Sequence, residues 1–155
     1  MLQTIFPQDR ICLDLVDTAK PELFAVLVSK LNQTLFRPLD FMMACNALQV
    51  REARLSTAIG NGIAIPHAKI TGINEVLGVV GISRTGITYK ASDDKPVQLI
   101  FLLLSPADTS DKHLHALKLL ATALEKTTLR DDILAGSSDT ALIWRCLQAA
   151  DDAIR

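Results

Sequence analysis

Residues 97–104, VQLIFLLL, and residues 76–83, VLGVVGIS, are two compact apolar runs that decide the fold of this chain. Asn74 precedes the earlier run and Pro106 follows the later one, so turn-forming residues bound the pair. Continuous runs of this length that are rich in Val, Ile and Leu are typical of strands buried within a sheet. The two runs therefore predict two buried strands.

Helical patterns occupy much of the remaining chain. Pro21 and Pro38 stand where a first helical turn tolerates proline, so each is expected to open a helix, through about residue 33 and about residue 53 respectively. Three further helices are predicted over residues 110–125, 129–135 and 139–154, and a short strand over residues 11–16. Helices interspersed with several apolar strands predict an α/β domain.

The composition is that of an ordinary globular protein. The 155 residues suffice for one domain with a proper core, and 49% of them are hydrophobic while 21% are charged. The formal charge is −1, with both signs interspersed, which excludes the electrostatic footprint of a nucleic-acid binder. No stretch approaches the ~18 apolar residues that span a bilayer. We predict one domain over residues 1–155, with no nucleic-acid partner and no membrane insertion.

Three cysteines, Cys12, Cys45 and Cys146, lie far apart in the sequence. Their odd number and wide spacing fit neither a disulfide framework nor a CxxC metal or redox motif. The first fifteen residues also lack the positive segment and continuous apolar run of a signal peptide. Together these features predict a protein of the reducing cytoplasm.

His67 closes the segment GNGIAIPH and is the first candidate for chemistry. Gly60 and Gly62 allow backbone N–H groups to turn toward an anion, and Pro66 holds an extended geometry before the histidine. Short polar side chains nearby, at Ser56, Thr57 and Asn61, add further hydrogen-bonding groups. An exposed, rigidly held imidazole among small donors suits nucleophilic attack on phosphorus. An ordinary loop histidine on a tight turn is the alternative interpretation.

His113 and His115 form an HxH pair within the helical pattern of residues 110–125, whose apolar stripe is expected on Leu114, Leu117, Ala121 and Leu124. Positions i and i+2 of a helix point roughly 200° apart, so the two rings cannot share a metal ion. His113 is expected in the first turn, where the helix dipole favours a neutral ring and a bound anion. A surface histidine near a cap is its alternative interpretation, and His115 is expected to be solvated or packed.

Arg51 and Arg54 are predicted at the end of the second helix, just before the Gly-rich turn. A guanidinium matches the oxygens of a phosphate in bidentate fashion, so either arginine could reach a bound phosphate. A solvated helix face is the alternative.

Two blocks of this sequence resemble a known family. Residues 51–70, REARLSTAIGNGIAIPHAKI, resemble the active-site segment of the enzyme IIA domains of the bacterial phosphoenolpyruvate-dependent phosphotransferase system, in the fructose, mannitol and nitrogen-regulatory class. Residues 93–124, DDKPVQLIFLLLSPADTSDKHLHALKLLATAL, resemble the other half of the same site. The similarity runs in register from about residue 11 to the last helix. It implies a mixed central β-sheet flanked by helices on both sides.

The resemblance also assigns roles to residues. It implies that His67 accepts a phosphoryl group on Nε2, that His113 assists, and that Arg51 contacts the phosphate or the partner. The donor implied is an HPr-like phosphocarrier protein, and no cofactor or metal is implied because both partners in the transfer are histidines. Leu55, Ala58 and Ala68 depart from glycines that are frequent in the family.

The sequence is compatible with four functions. The segment PAD…HLHAL (residues 106–117) resembles the nitrogen-regulatory branch, which implies a phosphorylation-dependent regulator of target proteins. A sugar-specific IIA component that donates phosphate to a IIB domain is the alternative. A docking module that has lost phosphorylation is disfavoured by the intact pair of His67 and His113. A metal-dependent hydrolase is disfavoured by the helical spacing of His113 and His115 and by the lack of a carboxylate cluster.

Overall fold

The computed structural model describes residues 1–91, 93–136 and 138–155. In these residues six strands form one mixed sheet in the order β1-β5-β6-β3-β2, with β4 also pairing with β6. The strands are β1 (Ile11–Cys12), β2 (Ala58–Gly60), β3 (Ile63–Ala64), β4 (His67–Ile70), β5 (Leu77–Ile87) and β6 (Val97–Pro106).

The two apolar runs form the antiparallel pair at the centre of the sheet. β5 and β6 pair from Leu77 opposite Leu104 to Ile87 opposite Val97, with a shift of register between Ile82 and Ile87. The prediction of two buried strands is confirmed, and both strands extend beyond the apolar runs. The strand expected over residues 11–16 is only two residues long, because Asp14 adopts the left-handed region at φ 58° and turns the chain.

Helices surround this sheet. They are α1 (Leu2–Ile5), α2 (Lys20–Thr34), α3 (Phe41–Arg54), α4 (Ser110–Lys126), α5 (Leu129–Ala135) and α6 (Thr140–Ala153), with a 3₁₀ turn at Gln8–Arg10. The five predicted helices are present, whereas α1 was not predicted. α3 begins after Asp40 rather than at Pro38, because the Asp40 carboxylate accepts a hydrogen bond from the Met43 N–H (3.1 Å) and caps the helix.

The sheet separates two hydrophobic cores. α2 and α3 cover one face, where Ile100 and Leu102 of β6 point, while α1, α4, α5 and α6 cover the other face with Phe101 and Leu103. Because side chains alternate along a strand, β6 contributes to both cores. The predicted α/β fold class, a mixed sheet with helices on both sides, is confirmed. None of the described helices is both long and apolar enough to cross a membrane.

The apolar stripe predicted for α4 is partly correct: Leu117 and Leu124 pack half-buried against the core, whereas Leu114 and Ala121 are exposed. The residues that α4 buries are His113, Ala116, Leu120 and Ala123. Leu114, which was expected to be buried, is 63% exposed. Ala116 and Ala123 are small and lie on the face of α4 that packs against the sheet, and the contact between His113 and Ser105 fixes the rotation of the helix. The spacing of the leucines alone therefore misplaces the centre of the buried face.

β3 and β4 are successive parts of one edge of the sheet. Both run parallel to β6, with Ile63 opposite Leu99 and His67 opposite Leu103. Pro66 lies between them, and its carbonyl accepts a hydrogen bond from the Leu103 N–H (2.9 Å). β2 pairs with the outer side of β3, and no strand within the described residues pairs with the outer side of β4. His67 therefore begins a strand at the point where the sheet loses its outermost strand.

Candidate functional site

The structure brings His67 and His113 together. His67 is the first residue of β4, and Ala68 and Ile70 turn into the core beneath α2 and α3, so His67 projects from the opposite face. α4 covers that face and presents His113 from its first turn. The centroids of the two rings are 5.4 Å apart and their planes meet at 48°. The predicted pair is thus a single site.

The backbone fixes the tautomer of His67. Its Nδ1 lies 2.7 Å from the carbonyl oxygen of Ile65. Because a carbonyl only accepts hydrogen bonds, Nδ1 carries the proton and Nε2 keeps a free lone pair. The side chain is half-buried, and this burial lowers the pKa of His67 below its usual value despite the hydrogen bond from Nδ1. The ring is therefore neutral near pH 7 and nucleophilic at Nε2.

His113 is held by a serine. Its Nδ1 lies 2.7 Å from Oγ of Ser105, a fully buried residue near the end of β6. Burial, followed by the nearby His67, Lys69 and Arg51, lowers the pKa of His113 to about 4. When the Ser105 hydroxyl donates to Nδ1, the ring proton sits on Nε2 and can be donated to an anion. Ser105 was not predicted, since one serine at a strand end carries no distinctive sequence signal.

Two cations flank the histidines. Nη1 of Arg51 donates to the carbonyl of Leu55 (2.9 Å), and its charge contributes to the lowered pKa of both rings. Lys69 shares the face of His67 on β4, and its Nζ donates to Oγ of Ser110 at the start of α4 (3.3 Å). Arg51 was predicted and Lys69 was not. The strand spacing of two residues after His67 was the signal that could have found it.

Ser56 and Thr57 lie alongside the segment that precedes His67, but Thr57 is not free to bind a ligand. The carbonyl of Thr57 accepts a hydrogen bond from the Ile65 N–H (3.0 Å), so the preceding residue, Ser56, lies alongside Pro66. The Thr57 hydroxyl is 2.6 Å from Oε2 of Glu52 and 2.8 Å from the hydroxyl of Tyr89. The prediction that Thr57 contacts phosphate through its side chain is corrected: that hydroxyl belongs to a buried polar cluster.

Glu52 is the centre of this cluster. Its Oε1 accepts from Nζ of Lys20 (2.8 Å) and from the Thr57 N–H (3.0 Å). Burial opposes the ionisation of Glu52, yet the hydrogen bonds from Lys20 and Thr57 outweigh it and lower the pKa of the carboxyl. Glu52 therefore clamps Thr57, which in turn binds Ile65, whose carbonyl orients His67. Its position four residues after the buried Leu48 on α3 was the available sequence signal.

The Gly-rich turn lies away from the histidines. Gly60, Asn61 and Gly62 all adopt positive φ (89°, 55° and 73°) and reverse the chain between β2 and β3. The carbonyl of Gly62 accepts from the N–H groups of Gln98 and Leu99, whereas His67 is level with Leu103. The turn and His67 are therefore separated by four to five residues of extended strand, which correspond to about 13–16 Å.

The predicted phosphate contacts of this turn are therefore corrected. The Asn61 N–H donates to Asp93 (3.3 Å) and the Asn61 carbonyl accepts from Arg130 (2.5 Å), so both backbone groups of that residue are already paired. The four residues between the turn and His67 comprise β3 and the segment that ends at Pro66. Because these residues are extended, the turn and His67 lie at opposite ends of this edge of the sheet. Gly60, Asn61 and Gly62 serve the chain reversal.

The two histidines of α4 do not share a ligand. His113 is buried and His115 is exposed on the other side of the helix, as the i, i+2 spacing predicts. In the described part of the chain, no three His, Cys, Asp or Glu side chains are grouped closely enough to hold a metal ion. The site is thus two neutral imidazoles, one with a free Nε2, next to Arg51 and Lys69. Such an arrangement suits nucleophilic attack on an electrophile that carries negative charge.

Residues 4–149 match the sequence family described as "Phosphoenolpyruvate-dependent sugar phosphotransferase system, EIIA 2". A nitrogen regulatory protein of Klebsiella oxytoca is 41% identical over 107 residues, which are 67% of this chain and 65% of that protein. The fructose-specific EIIABC component of Bacillus subtilis is 36% identical over 97 residues, 63% of this chain and 15% of that protein.

A solved structure agrees across nearly the full length. The crystal structure of nitrogen regulatory protein IIA-Ntr from Neisseria meningitidis superposes with a TM-score of 0.81 at 30% sequence identity, covering 93% of this chain and 97% of that one. The aligned region spans slightly less than two thirds of the length of the Klebsiella relative.

Proposed function

Since this chain belongs to the EIIA 2 family of the phosphoenolpyruvate-dependent sugar phosphotransferase system, we propose that it accepts a phosphoryl group on Nε2 of His67. The observation that carries this assignment is the 2.7 Å contact of His67 Nδ1 with the Ile65 carbonyl, which leaves Nε2 unprotonated beside His113. A phosphoryl-transfer component needs a neutral nucleophile held in one orientation, and this contact supplies both properties.

The proposed donor is the phosphohistidine of an HPr-like carrier protein. The phosphorus–nitrogen bond on the carrier breaks as a new one forms to Nε2 of His67, and the carrier's imidazole leaves neutral when its other nitrogen keeps a proton. Transition states of this kind are loose, so the protein acts mainly by positioning and electrostatic stabilisation. Arg51, Lys69 and the N–H of His113 supply positive charge and a hydrogen bond for the phosphoryl oxygens.

The surface beside the histidines supports docking of such a carrier. Leu55 is 72% exposed and Leu114 is 63% exposed, and these residues adjoin Arg51 and His113 respectively. Apolar side chains ringed by charged ones are typical of the centre of an interaction surface. We assign these two leucines to the contact with the carrier and not to the interior.

Regulation of partner proteins is the second part of the proposal. A phosphohistidine adds roughly two negative charges, by analogy with other phosphorylated side chains, to a chain whose formal charge is −1. That change falls next to His113, the neighbour of Leu114 in the chain, and alters the docking surface. The nitrogen regulatory relatives favour this role, and we place it in the cytoplasm, where the free thiols of this chain stay reduced.

A sugar-specific role is the alternative. The fructose-specific relative from Bacillus subtilis favours it. In that case phosphorylated His67 would donate to a IIB domain. Incubation of the phosphorylated chain with isolated fructose and mannitol IIB domains separates the roles: rapid loss of phosphate to either domain establishes the sugar-specific function, and retention favours the regulator.

The phosphate acceptor is tested by labelling the chain from phosphoenolpyruvate through enzyme I and an HPr-like carrier. We expect acid-labile phosphate on the wild type and none on His67→Ala. His115→Ala is the matched control, because that ring is exposed on the outer side of α4 and should leave labelling unchanged. Persistent labelling of a folded His67→Ala variant would contradict the proposed acceptor.

A further inference from the structure

A cavity of about 690 Å³ opens between the start of α2, the last turns of α3 and the chain that follows β5. Pro21 and Ala53 give it an exposed apolar wall, and Lys20 and Lys90 also line it. Neither histidine of the site lines it. Its volume lies within the range of about 300–1,000 Å³ that is usual for small-molecule sites.

The hydrogen-bonding capacity left in this cavity consists mainly of donors. The carboxylate of Asp17 already accepts from the N–H and the hydroxyl of Thr88 (2.9 and 3.2 Å). Both oxygens of Glu52 are occupied by Lys20 and Thr57. The acidic side chains in the wall therefore already accept hydrogen bonds from the protein, although the Asp17 carboxylate keeps free lone pairs.

The two lysines differ in their existing partners. The Lys20 ammonium pairs with Glu52 at 2.8 Å and lies 4.3 Å from the centre of the Tyr89 ring, so a ligand carboxylate has to share this ammonium with Glu52. Lys90 makes no hydrogen bond or ion pair with the residues that the structure describes, and it is exposed at the cavity. α2 also begins here at Ala19, whose side chain cannot cap the first N–H groups of the helix. A ligand that complements this wall carries acceptor oxygens and an apolar part.

We propose that this cavity binds a small organic acid, with a carboxylate at Lys20 and Lys90 and its hydrocarbon part against Pro21 and Ala53. Charge-assisted hydrogen bonds to two amines give the ligand its orientation. Contact with the apolar wall supplies the remaining affinity and selects against inorganic anions.

The cavity is linked to His67 by a continuous path of hydrogen bonds. Lys20 binds Glu52, Glu52 holds the N–H and hydroxyl of Thr57, the Thr57 carbonyl accepts from Ile65, and the Ile65 carbonyl orients His67. A carboxylate at Lys20 competes with Glu52 for the ammonium and loosens this clamp. Occupancy of the cavity therefore slows phosphoryl transfer to His67, a regulatory consequence that rests on the proposed function.

Binding is tested first without any transfer assay, by following backbone amide resonances of the full chain during titration with glutarate. We expect saturable shifts at Lys20, Ala53 and Thr88, and no saturable shifts with pentane-1,5-diol, which has the same length without charge. Inorganic phosphate tests whether any anion suffices, and equal binding of phosphate would overturn the organic-acid assignment. Absence of saturable glutarate shifts at the cavity would overturn the proposal altogether.

Variants locate the site without disturbing the buried Glu52. Lys90→Gln should weaken glutarate binding roughly tenfold, equivalent to about 1.4 kcal/mol. Ala53→Phe places a ring in the cavity from an exposed helix position and should abolish binding, whereas Lys118→Gln on the outer face of α4 is the matched control. Unchanged affinity in Ala53→Phe would overturn the location.

The regulatory consequence is then measured as the rate of His67 phosphorylation with and without saturating glutarate. We expect a slower rate in the wild type and no change in Ala53→Phe. Saturable binding with an unchanged rate would overturn the link to His67. Failure of the chain to be phosphorylated in the absence of glutarate would instead contradict the proposed function, so the two failures are distinguishable.

Discussion

At the level of single residues, the two imidazoles differ in the group that contacts Nδ1. A carbonyl contacts His67 and fixes one tautomer, whereas a hydroxyl contacts His113 and is able to donate or to accept. His67 is thereby restricted to the nucleophilic form. His113 can change tautomer as charge develops next to it, which is the property that the proposed transfer requires of a supporting group.

The contact between Ser105 and His113 gives the first prediction. Ser105→Ala leaves Nδ1 of a buried ring without its partner, so we expect phosphorylation of His67 to slow about tenfold and the free energy of unfolding to fall by about 1–3 kcal/mol. Labelling rates and urea denaturation measure the two effects. Ser105→Thr retains the hydroxyl and should restore the rate.

A second buried serine provides the control for this experiment. Ser83 on β5 is fully buried and its Oγ accepts from the Gly86 N–H (3.2 Å), far along the strand from the histidines. Ser83→Ala should lower stability without slowing transfer. If Ser83→Ala and Ser105→Ala slowed transfer equally, the positioning role of Ser105 would be wrong.

The low pKa of His113 makes stability depend on pH. The pKa is about 4 in the folded chain and near 6.5 when the ring is solvated, so the unfolded chain binds more protons between these values. The contribution of neutral His113 to the free energy of unfolding is complete above pH 6.5. It is lost as the pH falls toward 4, which lowers the free energy of unfolding by as much as about 3 kcal/mol.

Urea denaturation across this pH range, in the wild type and in His113→Gln, measures the effect. We expect the variant to show a clearly flatter dependence between pH 6.5 and 4, with a smaller slope remaining from His67, whose pKa is also lowered. The carboxyl of Glu52 has its pKa lowered as well and loses its contribution only at more acidic pH. Equal slopes in both proteins would show that His113 is not held neutral by burial.

At the level of elements, the edge formed by β3 and β4 depends on α3 through a single carboxylate. Glu52→Gln keeps the shape but removes the charge that pairs with Lys20 and one of the acceptors used by Thr57. We expect the free energy of unfolding to fall by about 1–3 kcal/mol, because the substitution weakens a part-buried ion pair and leaves a buried Thr57 group without its acceptor. Thermal and urea unfolding measure this loss.

Glu52→Gln should also affect the orientation of His67. A looser Thr57 holds Ile65 less firmly, so His67 phosphorylation is expected to slow in Glu52→Gln under conditions where the variant is fully folded. Glu125→Gln is the matched control, since Glu125 is exposed near the end of α4. A variant that is destabilised but transfers phosphate at the wild-type rate would limit Glu52 to a structural role.

Long periodic elements were predictable from the sequence, while several details of the site were not. β5, β6 and the five longer helices have apolar runs or periodic apolar positions that distinguish strand from helix. The face of α4 was misjudged because Ala116 and Ala123, which are small, line the sheet while Leu114 faces solvent.

The site residues divide in the same way into those that a local motif predicts and those that only tertiary contacts reveal. The motif ending at His67 and the histidine at position 113 were identified, and the fold brings them to 5.4 Å. Sequence proximity wrongly attached the glycines of the turn to the histidine, because an extended strand moves the chain by about 3.3 Å per residue. Ser105 and Glu52 act through contacts between distant elements, which no local pattern records.

At the level of the whole molecule, the site requires both layers of helices. Arg51 comes from α3 on one side of the sheet and His113 from α4 on the other, while β4 and β6 bring His67 and Ser105. The site therefore forms only when the two cores are both assembled on the shared strand β6. Variants that weaken either core should lose phosphorylation together with cooperative folding.

The two ends of the chain close the structure through one buried carboxylate, which gives the final prediction. Asp151 of α6 is fully buried and its oxygens accept from the N–H groups of Leu2 (2.8 Å) and Gln3 (3.0 Å). It holds α1 by two charge-assisted hydrogen bonds at the helix start, where a negative charge is favourable. Asp151→Ala should lower the free energy of unfolding by about 2–3 kcal/mol.

Hydrogen exchange and urea denaturation measure this closure, with Asp152→Ala as the control because that neighbour is exposed and forms only a loose ion pair with Arg155 (3.8 Å) within the described residues. α1 should lose protection first in Asp151→Ala, since its four residues are too few to persist alone. The histidines lie on a different part of the sheet, so His67 should still be phosphorylated at the wild-type rate in the folded variant. Retained protection of α1 would show that burial of Leu2 and Phe6 suffices to hold the N-terminus, and that Asp151 is not what closes the chain.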